Sequence, residues 1–277
     1  MPISAGQNGV ASDFINESAG SGDEGKVPKL NASGKLDQSF LDENSLIYQV
    51  ADSPATWTKP ANLAYIKVRL WGGGGSGARE LSTGECASGA GGGAGAEKII
   101  LASTLGANVT VTIGAGGPAK SGAGRIDGDA GGNSSFGSHL ICSGGGAGVT
   151  SNNNAVGGAG GAVNAMSAFS GVGGTSGGGG GNGVVSAGGG GSTDAGPTTG
   201  AGGSSVMGGA GGGGSRAGLS GAGGISADAG NGGAGAATGV NAGNGVFPAG
   251  GGGATNGVSA TSGAGANGLC IVTQFYN

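Results

Sequence analysis

The chain has 277 residues, of which 77 are glycine, with 9% charged residues, 4% aromatic residues and a formal net charge of −4. Its length allows two domains, and its low charge is unlike that of disordered chains, which combine high charge with low hydrophobicity. Lys and Arg are nowhere clustered, which excludes nucleic acid as a partner. No apolar run reaches the ~18 residues of a membrane span, so no membrane insertion is expected, and the N-terminus lacks a signal-peptide pattern.

Residues Met1 to Asn44 are polar and aperiodic, and read as an extended arm or linker. Within them lies Val27-Pro28-Lys29-Leu30-Asn31-Ala32-Ser33-Gly34-Lys35-Leu36-Asp37-Gln38-Ser39-Phe40-Leu41. This segment resembles a linker that recurs in bacteriophage tail fibres. The resemblance implies that the arm attaches the protein to other phage tail or fibre proteins.

From Ser45 a period of two sets in. Ala64 to Trp71 places Ile66, Val68 and Leu70 on one face, with Tyr65, Lys67, Arg69 and Trp71 on the other, a half-buried strand. Asn108 to Ile113 alternates Val109, Val111 and Ile113 with Thr110 and Thr112 in the same way. Glu97–Leu101, Ser134–Cys142, Leu269–Tyr276 and Ser45–Val50 are further strands, separated by turn glycines. With no helical period anywhere, the expectation is an all-β fold, an antiparallel β-sandwich of residues 45–142 plus 269–277. Its last strand is expected to bury Leu269, Ile271 and Phe275 in the sheet that holds Phe136 to Cys142.

Between those parts, residues 143–268 are dominated by glycine and alanine. Runs such as Gly177–Gly181, Gly188–Gly191, Gly211–Gly214 and Gly250–Gly253 alternate with short mixed segments. Ordering a residue costs about 1–2 kcal/mol, and large apolar side chains, at about 1.5–3 kcal/mol each when buried, are too sparse here to offset that. Backbone pairing is the alternative. Polyproline II strands of glycine have three residues per turn and no internal hydrogen bonds, so each N–H and C=O must find a neighbour. The region is thus expected to be an inserted polyproline II (polyglycine II) helix bundle, folded back on itself several times. A collagen helix is excluded, because glycine does not recur at every third position and the chain has only 7 prolines. A flexible linker is the competing reading.

Few residues invite chemistry. The cysteines Cys86, Cys142 and Cys270 are odd in number and far apart, which suits buried reduced thiols and synthesis in the cytoplasm. The GxGxxG matches lack the strand, helix and acidic residue of a dinucleotide site. His139 would have to serve any Ser-His-Asp triad, and a structural role suits it better. Asp127 and Asp129 are the nearest thing to a glycosidase pair, yet they sit in a Gly-rich turn, and the loop patterns of calcium sites are missing. No catalytic residue, cofactor or metal is therefore expected. Specificity falls to loops on a rigid scaffold: residues 149–156, 162–172, 184–187, 192–199, 204–207, 215–220, 225–229 and 236–248. Their apolar candidates for receptor contact are Met166, Phe169, Met207, Leu219, Val246 and Phe247, since a glycine bundle has little room to bury them. Capping of the bundle or packing on another subunit is the bland alternative for the two phenylalanines. Asn152, Asn153, Asn154, Asp194 and Arg216 are the polar candidates, although a solvated turn is the better single explanation of each.

A second resemblance rests on an ordered series: Ala55-Thr56-Trp57-Thr58-Lys59-Pro60, then Ile66 to Ala78, then Val109 to Gly117, then Gly131-Gly132-Asn133-Ser134-Ser135-Phe136-Gly137, then the closing strand. Together these resemble the glycine-rich C-terminal domain of phage tail fibre proteins, and the Gly blocks between variable segments are similar to the distal adhesins of T-even-type phages. The resemblance implies a virion protein, made in the host cytoplasm, that binds a bacterial outer-surface receptor, protein or saccharide, without catalysis and as a homotrimer. An ice-binding or purely structural glycine-helix protein and a surface-glycan hydrolase are the alternatives.

Overall fold

Residues with branched and aromatic side chains at alternate positions form the strands. The structure, a computed structural model, describes residues 14–15, 27–28, 47–81, 85–122, 124–164, 171–183, 187–194 and 198–276. The rest of the arm expected at 1–44 lies outside them; within it Phe14–Ile15 pairs in parallel with Val27–Pro28. The described fold is nearly all β, and its two larger sheets are antiparallel.

Eight strands make those two sheets: β1 (Ile47–Ala51), β2 (Ala55–Thr58), β3 (Leu63–Trp71), β4 (Gly95–Leu101), β5 (Asn108–Thr112), β6 (Ser134–Phe136), β7 (Leu140–Cys142) and β8 (Leu269–Tyr276). One sheet runs β1-β8-β3-β4 and the other β7-β6-β5-β2. Residues of both contribute to one buried cluster that includes Trp57, Ile66, Val68, Leu70, Ile100, Val109, Val111, Phe136, Leu140, Cys142, Cys270 and Val272. The Trp57 and Phe136 rings meet there at 5.6 Å, tilted by 59°. Ile66, Val68 and Leu70 face this core, as their alternation predicts.

The closing strand differs from expectation in two ways. It joins β3 and β1, with Val272 opposite both Val68 and Gln49, and does not join the sheet of Phe136 and Cys142. Its even-numbered residues Cys270 and Val272 enter the main core, whereas Leu269 belongs to a second buried cluster with Trp71 and Ala249, against which Ile271 and Ala229 pack. Phe275 is half-buried and stacks on Tyr65 at 4.4 Å. The reason is that the outer face of this sheet is covered as well, beside Trp71, by loops of the glycine-rich region. Trp71, expected on the open face, is accordingly buried, and its Nε1 donates to the Met207 carbonyl at 2.8 Å. Burial pushes the thiols of Cys142 and Cys270 up to about 12, with mutual repulsion of the two thiolates a second cause at Cys142.

The glycine-rich segments pair through their backbones. Residues 88–94 lie at the centre. Their amides at 88, 91 and 94 donate to Val149, Gly146 and Ser143; those at 89 and 92 to Gly191 and Gly188; those at 90 and 93 to Gly252 and Ala249. Their carbonyls accept in the same rotation. Ala78, Gly75 and Gly72 donate to residues 88, 91 and 94, Gly158 and Gly161 to residues 89 and 92, and Gly212 and Gly209 to residues 90 and 93. Three donor and three acceptor directions thus place six segments around one, at N···O distances of 2.8–3.1 Å. Partners repeat every third residue, so successive peptide groups point in three directions in turn.

Glycine is required where a neighbour's carbonyl fills the place of a side chain. A Cβ on Gly92 would lie 2.1 Å from the Gly209 oxygen. Alanines occur where there is space, and Ala90, Ala94, Ala187, Ala210 and Ala254 are all fully buried. This net does not begin at Ser143. Gly72–Ala78 and Ser88–Ala94, which look like turn glycines between strands, are its centre, and Gly114–Gly117 and Gly128–Gly132 also belong to it.

Candidate functional site

The register of the net gives each segment a direction. Residue 94 adjoins β4 and residue 72 follows β3, so residues 72, 94, 143, 188, 209 and 249 lie at the strand end, while 78, 88, 149, 191, 212 and 252 lie toward the far end. Successive segments run in opposite directions. Alternate loops therefore emerge together. Among the described residues, 79–81 and 85–87, 118–122 and 124–127, 149–155, 175–177, 193–194 and 198–199, 215–220, 236–242 and 255–262 fall at the far end, and 162–164, 187, 206–208, 225–229 and 246–249 at the strand end.

This separates the residues picked out by sequence. Asn152, Asn153, Asn154, Asp194, Arg216 and Leu219 lie on far-end loops. Met207, Val246 and Phe247 lie at the strand end, where the Met207 carbonyl holds Trp71 while Val246 and Phe247 remain half-exposed. Met166 and Phe169 lie outside the described residues. The polar candidates and Leu219 are thus brought together, and Met207, Val246 and Phe247 are not among them.

The far-end group has a built centre. Cys86–Ala87 pairs with Thr150–Ser151 on one side and, through Ala87, with Ser215 on the other; Ser215–Arg216 in turn pairs with Leu219–Ser220. The fully buried Cys86 sulfur lies 3.2 Å from the carbonyl oxygens of both Asn153 and Asp194, which share its one S–H. Its small size lets two loops close on one point. Ala155 and Thr193 bridge the same two loops. Asn152, Asn153 and Asn154 are exposed, and the Asn152 Oδ1 accepts from Arg125 Nη1. The Asp194 Oδ1 accepts from the Thr198 hydroxyl at 3.2 Å.

Ion pairs stiffen the neighbouring loops. Arg125 Nε lies 2.9 Å from Glu80 Oε2 and 3.9 Å from Glu85 Oε2. Asp127 Oδ1 accepts from the amide and hydroxyl of Thr150 at 2.7 and 2.8 Å, and Asp129 pairs with Lys120. The two aspartates therefore each hold a loop of their own. His139 sits in the β6–β7 turn, its ring 6.4 Å from Phe136 and its carbonyl accepting from Lys98. Among the described residues no group of three or more His, Cys, Asp or Glu side chains could hold a metal, and no helix is long and apolar enough to cross a membrane.

One residue of this region escaped sequence reasoning. Arg79 is fully buried and gives hydrogen bonds to the carbonyls of Ala260, Gly124, Gly257 and Val258 at 2.7, 3.2, 3.2 and 2.8 Å. The signal available was an Arg-Glu pair emerging from an uninterrupted Gly/Ala/Ser run.

A family model described as a glycine-rich domain matches residues 50–274. The chain belongs to the glycine-rich domain family. The match spans both sheets and the whole net, so the two form the glycine-rich domain together. No curated protein matches the sequence.

Proposed function

We propose that this glycine-rich domain is a non-catalytic receptor-binding tip of a bacteriophage tail fibre. In this reading a β-sandwich carries a left-handed polyproline II bundle whose far-end loops contact a bacterial outer-surface receptor. The arm at 1–44 joins other phage tail or fibre proteins, the chain acts in the virion, and three copies assemble. The observation that carries the reading is the far end itself. A hydrogen-bonded scaffold almost without side chains brings described residues of eight loops to one end, and the Cys86 thiol joins two of them. A rigid scaffold with irregular loops is the usual arrangement for recognition. Only small motions of the loops would be lost on binding, which keeps the entropic cost of association low. The tail-fibre assignment itself draws on the resemblance of the ordered motifs and the linker.

The test is adhesion of the fluorescently labelled chain to a panel of bacterial strains. Replacing residues 151–154 and 216–219 by Gly-Ser segments, with every Gly run left intact, is expected to abolish or redirect attachment. The same replacement at 246–247 is expected to have little effect. Attachment that survives the far-end exchange would sink the reading. Release of sugar from host polysaccharide by the intact chain would replace it with hydrolysis.

A further inference from the structure

In an open chain, an asparagine followed by glycine is prone to modify itself. The glycine amide nitrogen, whose residue has no Cβ to hinder it, attacks the asparagine Cγ. A C–N bond forms, the Cγ–Nδ2 bond breaks, and the departing nitrogen takes the proton of the attacking amide and leaves as ammonia. Water then opens the cyclic imide to aspartate or isoaspartate. Of the asparagines that precede a glycine here, Asn182 and Asn244 share one geometry. Ser204 gives its amide hydrogen to Asn182 Oδ1 at 2.8 Å and takes the Gly183 amide hydrogen on its own carbonyl at 2.9 Å. Ala264 does the same for Asn244 Oδ1 and the Gly245 amide, at 2.9 and 2.8 Å. One residue of a neighbouring segment thus holds both reacting groups, the electrophile by its oxygen and the nucleophile by its proton. For attack the glycine nitrogen must swing toward Cγ and shed that proton, and doing so breaks the clamp. Asn182 and Asn244 are themselves exposed, so the clamp and not burial keeps them closed. Asn241 provides a control within the same net: Thr261 holds it and the next amide in the same way, at 2.8 and 3.0 Å, but that amide belongs to Ala242, whose methyl group hinders attack.

We propose that Asn182–Gly183 and Asn244–Gly245 are self-modification sites that the folded net holds shut and that react once their segments part. Isoaspartate adds a methylene group to the main chain. A net whose partners repeat at every third residue has no place for it, so a segment modified in this way does not pair again and a local opening becomes permanent. This chemistry needs only water and is independent of any receptor.

The test incubates the full chain at mildly alkaline pH, with and without urea above its unfolding midpoint, and follows each asparagine by mass spectrometry of peptic peptides and an isoaspartate assay. In urea, Asn182 and Asn244 are expected to convert at least tenfold faster than Asn241, and in the folded chain both should convert at least tenfold more slowly than in urea. Equal rates at Asn241 and Asn244 in urea, or equal rates at Asn244 in the folded and unfolded chain, would overturn the sites. Ala264→Pro removes the amide that holds Asn244 Oδ1, and proline suits an extended segment. In this variant, with its circular dichroism spectrum unchanged, Asn244 should convert several-fold faster than in the parent while Asn182 keeps its rate; an unmoved Asn244 would refute the clamp. Ser204→Pro makes the same test at Asn182 with Asn244 as the control, should the first variant not fold. After conversion and removal of urea, the amides around Asn244 should exchange with deuterium several-fold faster than in unmodified refolded chain, and full recovery of protection would refute the permanence of the opening.

Discussion

The two halves of this domain are held by opposite means. In the sheets, side chains such as Phe136 and Val68 fill a shared interior, and the backbone merely spaces them. In the net the backbone is itself the interior: peptide groups satisfy one another, and a side chain is mostly an obstruction. The contrast teaches where each half is vulnerable. A hydrophobic core responds to lost volume, whereas a net of closely spaced peptides responds to added volume.

The sharpest way to break this comparison is a pair of substitutions of very different size. Gly92→Ala adds one methyl group at 2.1 Å from the Gly209 oxygen, at the centre of the net. It is expected to cost more than about 4 kcal/mol, in the exceptional range, and to abolish cooperative unfolding by denaturant. Phe136→Ala removes a whole buried ring and should cost about 3–5 kcal/mol; a milder effect from the alanine at 92 than at 136 would refute the contrast.

A third test distinguishes the halves by pH. The raised thiols of Cys142 and Cys270 belong to the sheets, and an acid whose folded pKa is raised favours its neutral form in the native state. The folded protein then holds protons that the unfolded chain has released, so stability is fully present below about pH 9 and falls as pH rises from about 9 toward 12. The slope is about 1.4 kcal/mol per pH unit for each thiol at most. In the Cys142→Ala/Cys270→Ala double variant this part of the denaturation profile should flatten, with amide exchange in the net following only when the sheets open.

The smallest effect is expected at the seam. Arg69 lies over Trp71 at 4.9 Å and 3.6 Å from Asp228 on a loop of the net. Both charged groups are partly exposed, so Arg69→Ala should cost only about 0.2–1 kcal/mol, measured as a small shift of the denaturation midpoint. A larger loss would mean that the halves are coupled by more than Trp71 and its neighbours.

The same contrast explains what could be read beforehand. Ile66, Val68 and Leu70 were legible because one face of their strand is core and the other is mixed. The closing strand was misread because its Leu269 face is covered by loops of the net while its Cys270 face enters the core, and burial on both faces erases alternation. That glycine segments would pair was legible from the lack of side chains, but not that Gly72–Ala78 and Ser88–Ala94 lie at the centre, since short glycine runs also suit turns. For the candidate site, the residue types on the loops were visible and their grouping was not. It follows from the reversal of direction at each loop, which a count of segments could have supplied. Arg79 stayed hidden because its partners are carbonyls of loop 255–262 and of Gly124, far along the chain.

Because partners repeat at every third residue, the segments of the net can change length only in certain steps. One extra glycine inside the Ser88–Ala94 segment would rotate all that follows by a third of a turn and aim each amide at the wrong companion, whereas three extra would merely advance the chain by one period. At the level of the gene, tolerated insertions there come in blocks of about nine nucleotides, while the loops accept codons one at a time. The scaffold therefore keeps a coarse ruler and leaves fine adjustment to its ends.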